Sequence, residues 1–393
     1  ERRRRRNRAR LRRDALGREE ADEEASGEAA THATQASACG EAGDEVARGV
    51  HHWSRSRPRS ESHLIHAAGR ALPLGLRAMN PLLSDATTRW LLAGDPTVVW
   101  QVQRDLLGRA ASTWQATRRK IATQGWGARL LARRAADGTW GGGLYNPKWT
   151  STFYTLQLLT QLGLAPNNSQ GRSSCRLLLR EGVTTGGGVS LWPSRSTDTC
   201  VTAMLLHMAC HFGFGRDERV ERMTQWLLGE QMSDGGWNCR REHKGATHSS
   251  FHTTISTLEA LAALPATPGR RRAVDKALRA GREFFLQHQL YRSSSTGGIV
   301  RPSFSQLSFP PRWYFDLLRG LEHFAMVRAN WDPRLADPVA MLDSRRDKRD
   351  RWHAQNPHPG LEHFQLEAGR APSRINTLRA LRVLSWVNAS RPG

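Results

Sequence analysis

No stretch of this chain approaches eighteen consecutive apolar residues, which excludes a membrane-crossing helix on sequence grounds. Cysteine is scarce as well. Cys39, Cys175, Cys200, Cys210 and Cys239 stand at irregular spacings in 393 residues, which excludes a disulfide framework and fits a reducing, cytoplasmic compartment. Lysine occurs only five times, so a net charge of +22 rests almost wholly on arginine. Those arginines are scattered over many segments rather than gathered in a stripe, and no aromatic-basic platform accompanies them. Nucleic-acid binding is therefore not expected, and codon bias of a GC-rich genome accounts for the excess. No sustained apolar–polar alternation suggests strands.

Residues 1–78 lack both large apolar side chains and any sustained period, while carrying 16 basic and 12 acidic residues. Such a segment cannot bury enough surface to offset its ordering entropy, and a disordered low-complexity extension is expected. Its arginine run has no apolar stretch behind it, so it does not read as a signal peptide. The chain begins at Glu1, and its first methionine, Met79, directly precedes the first helical pattern. Met79 is accordingly the expected initiator, with a domain over residues 79–393.

What that domain has is a sentence said twice. Residues 137–162 read DGTWGGGLYNPKWTSTFYTLQLLTQL, and from residue 234 the chain reads DGGWNCRREHKGATHSSFHTTISTLEAL. In both, an Asp-Gly-x-Trp turn leads through a polar loop into a Ser/Thr-rich apolar helix. A long-period repeat implies units that bury their apolar faces against one another. Helical periodicity runs almost throughout. More apolar helices are expected near 96–107, 149–163, 198–212, 250–264, 311–326 and 373–387. Charged amphipathic helices are expected between them, near 82–93, 115–136, 168–181, 217–232, 269–290 and 332–350. Six buried helices alternating with six amphipathic ones predict an all-α fold, an α/α toroid with an inner and an outer ring. An open solenoid obeys the same stacking logic, but six pairs with irregular loops and no extended charged concave face favour closure.

The turns Gln231-Met-Ser-Asp-Gly-Gly-Trp237 and, more weakly, Asp137-Gly-Thr-Trp140 resemble the repeats of the terpenoid cyclase and protein prenyltransferase β-subunit superfamily. The resemblance covers about residues 80–390 and implies one toroid. The turns themselves are structural and speak for fold, not chemistry.

Aligning FYTLQLL, CVTAMLL and HTTISTL places Phe153, Cys200 and His252 at one depth, with Arg312 as the fourth member of the register. Inner helices about 8–10 Å apart would let Cys200 and His252 share an ion. Three ligands, Asp198, Cys200 and His252, with one open position describe a catalytic zinc, and Cys239 and His248 are spare candidates. The plainer reading makes Asp198 an N-cap, Cys200 a small hydrophobe and His252 a satisfied core histidine. Asp-x-Cys followed by His on the next inner helix resembles the zinc ligands of prenyltransferase β-subunits, which implies activation of a thiol acceptor. The Cys210-His211 pair, which could suggest a zinc site of the lanthionine-cyclase kind, reads as core packing.

Class II terpene cyclases protonate an alkene with the middle Asp of an Asp-x-Asp-Asp run. Ser196-Thr-Asp-Thr-Cys200 keeps a single carboxylate, so squalene-type cyclisation is not expected. Lys148, Trp149, Arg195, Arg312, Trp313, Tyr314, Ser373, Arg374 and Asn376 fall within a turn of inner-helix starts, where cations suit a diphosphate and aromatics an isoprenoid chain. Glu362, His363 and Glu367 either cap that mouth or merely cap a helix. The expected function is an isoprenoid-binding enzyme of the prenyl-transfer class, possible zinc included. The alternative is a non-catalytic toroid that carries lipid or holds proteins.

Overall fold

The computed structural model describes residues 83–392 apart from 193–195 and 370. The chain divides into two units, Glu1–His63 and Leu64–Gly393, of which the first lies outside the described residues. The expectations placed on residues 1–78 and on Arg195 lie outside them too.

The described residues are helical and contain no strand, only isolated bridges. In chain order the helices are α1 Asp85–Leu92, α2 Pro96–Gln101 continued by a π-helical turn Val102–Leu106, α3 Ala111–Arg119, α4 Gly125–Leu131, α5 Thr152–Leu162, α6 Ser169–Gly182 and α7 Thr199–His211. There follow α8 Glu218–Gly229, α9 Arg241–Lys244, α10 Phe251–Ala262, α11 Pro268–Gln287, α12 Leu317–Met326, α13 Ala336–Ser344 and α14 Arg374–Ser390.

Burial separates two layers. In α5 every residue but Gln161 is buried, whereas α6 buries one stripe, Gly171, Ser174, Cys175, Leu178, Leu179 and Gly182. A helix covered on all sides lies inside others; one with a single stripe lies outside. Neighbour contacts run α5 to α7 to α10 to α12 to α14 to α2. The ring closes where Trp100 of α2 donates its indole N–H to Leu162 O of α5 at 3.2 Å. Gly163, at φ 87°, permits this: a Cβ there would stand 2.3 Å from the Trp100 ring. Around the inner six, α1, α3 with α4, α6, α8, α11 and α13 each pack on their sequence neighbours. The fold is the expected α/α toroid.

One device joins the layers. Trp140, Trp237 and Trp352 each donate the indole N–H to a carbonyl ten residues back, Leu130, Leu227 and Leu342, at 2.7, 2.7 and 2.8 Å. Their backbone N–H groups each donate at 3.0 Å to a threonine of the next inner helix, Thr152, Thr254 and Thr377. Val189 makes the same backbone bond to Thr202 at 2.8 Å without an indole. Two residues before each stands a left-handed residue, Gly138, Gly187, Gly235 and Asp350. The turn at Trp352 is invisible as a motif because Asp350 holds the glycine position, and the turn at Val189 because the tryptophan is absent.

Three expected helices differ, the simplest being 332–350, which stops at Ser344 ahead of a turn. The outer segment 115–136 is broken at Gly125, φ 67°, whose Cβ would collide with the Asp95 carboxylate. That carboxylate caps α2 through Thr97 N–H and also holds Trp126 N–H. The inner segment 311–326 begins only at Leu317. Residues 311–316 form a turn with Arg312 at φ 55°, and Asp316 caps the helix by accepting from Arg319 N–H at 2.8 Å.

Candidate functional site

The inner helices begin after Ser151, Asp198, Ser250, Asp316 and Ser373. Phe153, Cys200 and His252 therefore do occupy one register, two residues past the N-cap. Leu318, not Arg312, is their counterpart on α12. Arg312 precedes the N-cap by four residues, yet its backbone turn carries it into the same mouth. Its guanidinium is 3% exposed as a residue, lies 5.2 Å over the Trp149 ring and reaches Glu362 Oε1 at 2.6 Å. Gln157 Nε2 donates to its carbonyl at 3.0 Å, which anchors the turn to α5.

Aromatic rings line this mouth in a chain of contacts. Trp192 meets Tyr145 at 5.1 Å, Tyr145 meets Tyr154 at 5.2 Å, and Tyr154 meets Trp149 edge-on at 4.7 Å. Trp149 continues to Tyr314 at 6.4 Å, and Tyr314 stacks on Trp313 at 3.8 Å. The Tyr154 and Tyr145 hydroxyls bond at 2.8 Å, and burial pushes both phenols well above their ordinary range. Lys148 Nζ stands 5.7 Å from the Trp149 ring. Partial burial lowers its pKa, and the nearby Cys200 and Asp198 work against that shift. Three of the chain's four tyrosines, Tyr145, Tyr154 and Tyr314, are here. That concentration was a readable signal at the sequence level, and only Tyr314 was singled out.

The zinc set does not gather. Among the described residues no group of three His, Cys, Asp or Glu side chains could hold a metal. Phe315 N–H donates to His252 Nδ1 at 2.7 Å, so the neutral ring carries its proton on Nε2 and has no free lone pair there. Burial pushes the His252 pKa down to about 3, with Arg301 and Arg319 adding to it. Its ring is boxed by Phe304, Trp313 and Tyr314 at 5.4, 5.4 and 5.7 Å. Cys239 lies beside Cys200: its Sγ accepts from Cys200 N–H at 3.3 Å and contacts Thr253 Oγ1 at 3.2 Å. Asp198 occupies the N-cap position of α7. His248 precedes α10 rather than riding on it, with its Nδ1 3.1 Å from Thr247 Oγ1, so it does not share the His252 helix face. The residues thus do not fit a zinc ion held by Asp198, Cys200 and His252. Cys210 and His211 pack as expected; the His211 ring nitrogen lies 2.8 Å from Leu164 O.

Two of the residues assigned to the mouth turn elsewhere. Arg374 Nε donates to Trp90 O at 3.0 Å, and its guanidinium covers the Trp90 ring at 4.7 Å. Asn376 is wholly buried, with Oδ1 accepting from Arg379 at 3.3 Å. Both fasten the start of α14. Glu362, His363 and Glu367 divide the two roles foreseen for them. Glu367 caps α14, accepting from Arg374 N–H at 2.7 Å and from the Ser373 hydroxyl. Glu362 and His363 cover the mouth, His363 Nε2 lying 2.8 Å from Thr155 Oγ1. The cavity beneath, lined by Trp149, Leu158, Arg312, Glu362 and His363 among others, has a volume of about 10 Å³, roughly what a single water needs.

Deeper in the ring the charges are closed on each other. Arg382 bridges Asp105, at 2.7 Å, and Glu322; Arg379 Nε reaches Glu322 at 2.8 Å; Arg319 holds Glu259 at 2.6 and 2.9 Å. Burial pushes the Asp105 and Glu259 carboxyls up, but Arg382 with Arg104, and Arg319, outweigh it, so both sit below their ordinary values.

No protein-family model matches the chain, and no curated protein does. Among solved structures it is similar to a protein from Actinoplanes, at 15% identity over 75% of this chain and 90% of the other, TM-score 0.40. It is similar to the type II terpene cyclase MstE from Scytonema in complex with geranylgeranyl dihydroxybenzoate, at 16% identity over 76% and 88%, TM-score 0.39. It is also similar to ent-copalyl diphosphate synthase from Streptomyces platensis, at 17% identity over 78% of this chain and 50% of that one, TM-score 0.37.

Proposed function

We propose that this chain binds an amphiphile with an isoprenoid-like tail and an anionic, diphosphate-type head at the inner-helix mouth, and acts on it by prenyl transfer or a related carbocation step. The observation that carries this reading is the aromatic wall from Trp192 to Trp313 with two cations, Lys148 and Arg312, lying over its central ring, Trp149. Aromatic faces stabilise positive charge as well as accepting apolar chains, and a guanidinium suits phosphate oxygens. In such a step the C–O bond of an allylic diphosphate breaks, its electron pair leaves on the diphosphate, and an acceptor's lone pair or alkene closes on the cation with loss of a proton. Arg312 and Lys148 would hold the departing charge while Tyr154, Tyr145 and Trp149 face the carbon. No step runs through zinc.

The second reading, a non-catalytic lipid-binding or protein-binding toroid, is favoured by one observation: residues 357–366 cover the mouth, and the cavity beneath Glu362 and His363 has a volume of only about 10 Å³. Calorimetric titration with farnesyl diphosphate, farnesol and inorganic pyrophosphate tests the first reading. Farnesyl diphosphate should bind more tightly than either fragment, and Arg312→Gln should weaken it at least about tenfold, as the loss of a charge-assisted pair requires. Absence of binding, or binding indifferent to Arg312, overturns it. Binding without pyrophosphate release or prenyl transfer in the presence of thiol, amine and phenol acceptors supports the carrier.

A further inference from the structure

Arg312 is the most deeply buried cation of the mouth, and its carboxylate does not come from the ring. Glu362 supplies it from residues 357–366, a segment without helix that crosses the mouth. The segment is fixed by the Glu362–Arg312 pair, by His363 Nε2 at 2.8 Å from Thr155 Oγ1, and by contacts with Trp149 and Tyr314. Trp149 Nε1 donates to Pro359 O at 2.7 Å, Trp149 N–H donates to Leu361 O at 2.9 Å, and His358 stacks on Tyr314 at 3.9 Å. Of its apolar residues Leu361 is 64% exposed, while Phe364 and Leu366 are half-buried against the core, Phe364 also lying under the guanidinium of Arg129 at 3.7 Å. The Glu362 side chain is itself 37% exposed, while that of Arg312 is 4% exposed. A buried cation thus meets an anion that reaches solvent on its far side. His358 Nε2 is buried there with no partner in the segment's present position. A segment tied down by polar bonds and two half-buried side chains opens at lower cost than the buried helices beneath it.

Resting on the reading of this mouth as an anion site, we infer that residues 357–366 are a displaceable lid and that Glu362 is an internal anion which an incoming head group must expel from Arg312. Glu362 is then a specificity-determining residue. A carboxylate head offers Arg312 nothing that Glu362 does not already give it, whereas a diphosphate brings more charge and more acceptor oxygens, and it reaches Lys148 as well. The lid lowers the affinity for every ligand by one common factor, the fraction of time it is open, so weak anions are the first to fall below measurable binding.

Inorganic pyrophosphate and acetate, titrated calorimetrically into the full chain and into Glu362→Gln and Glu362→Ala, test this, with hydrogen exchange read at Trp149 and residues 357–366. Pyrophosphate should bind both variants about tenfold more tightly than the unaltered chain, as expected when a competing internal ligand is removed. Acetate should bind the variants only. Pyrophosphate should speed exchange of the Trp149 amide, which the lid protects through Leu361 O. Equal pyrophosphate affinity in all three proteins, or binding that leaves the exchange of 357–366 unchanged, overturns the lid and leaves the anion site standing. Pyrophosphate binding to none of them overturns the anion site and the lid together.

Discussion

The two depths of this ring handle buried arginine in opposite ways. Deep inside, Arg382, Arg379 and Arg319 take their carboxylates from neighbouring inner elements, so each ion pair is also a helix–helix contact. At the mouth, Arg312 takes its carboxylate from a loop whose far side faces solvent. The difference teaches which charges belong to the fold and which are exchangeable. A pair between helices can be broken only by separating them, whereas a pair with a loop can be traded for another anion.

The largest expected effect breaks or sustains that contrast directly. Glu322→Ala should cost about 3–5 kcal/mol in urea denaturation, because it leaves Arg379 and Arg382 buried with their shared partner gone. Glu362→Gln should cost less, about 1–2 kcal/mol, because Arg312 stays buried but the amide oxygen can still accept from it beside solvent. Equal losses would erase the distinction between the two depths.

The scaffold that sets both depths is the next target. Trp352→Ala and Trp237→Ala should destabilise by similar amounts, about 3–5 kcal/mol each, since both indoles are fully buried and bonded alike. A far smaller loss at Trp352 would show that the turn without its glycine is not equivalent.

Acid sharpens the comparison further. His252 and His358 at the mouth and His323 deeper in are all pushed down to about 3, each chiefly by burial. Their folded values lie below the unfolded value of about 6.5, so the stability they contribute is complete above that pH and declines as pH falls toward 3. Thermal midpoints should therefore drop between pH 6.5 and 4.5, before most carboxylates titrate. His323→Leu should flatten that slope by about 1.4 kcal/mol per pH unit, one proton's worth. His358→Leu should flatten it less, because a lid that lifts lets His358 take up its proton without global unfolding. The smallest effect belongs to the turns: Asp350→Gly should stabilise by up to about 1 kcal/mol by relieving the left-handed backbone at φ 58°.

Much of this was legible in the sequence, and for identifiable reasons. The twelve helical segments followed from periodicity because each buried face repeats over several turns. Two of those that differ are interrupted by single residues, Gly125 and Arg312, whose backbone angles periodicity does not report. The register of Phe153, Cys200 and His252 was legible because the N-caps at Ser151, Asp198 and Ser250 lie at equal offsets. What that register does chemically was not. The bond from Phe315 N–H to His252 joins residues 63 apart, and it decides which nitrogen can bind a metal. The pairing of Arg312 with Glu362, fifty residues on, was equally hidden.

Whether an anionic amphiphile is held at the mouth in place of Glu362 can be read from a crystal structure of the chain with farnesyl thiodiphosphate, a slowly reacting analogue. The thiodiphosphate should lie on Arg312 and Lys148, with the tail against Trp149 and Tyr154 and Glu362 withdrawn. Glu362 still on Arg312, with the analogue bound elsewhere or not at all, would contradict it.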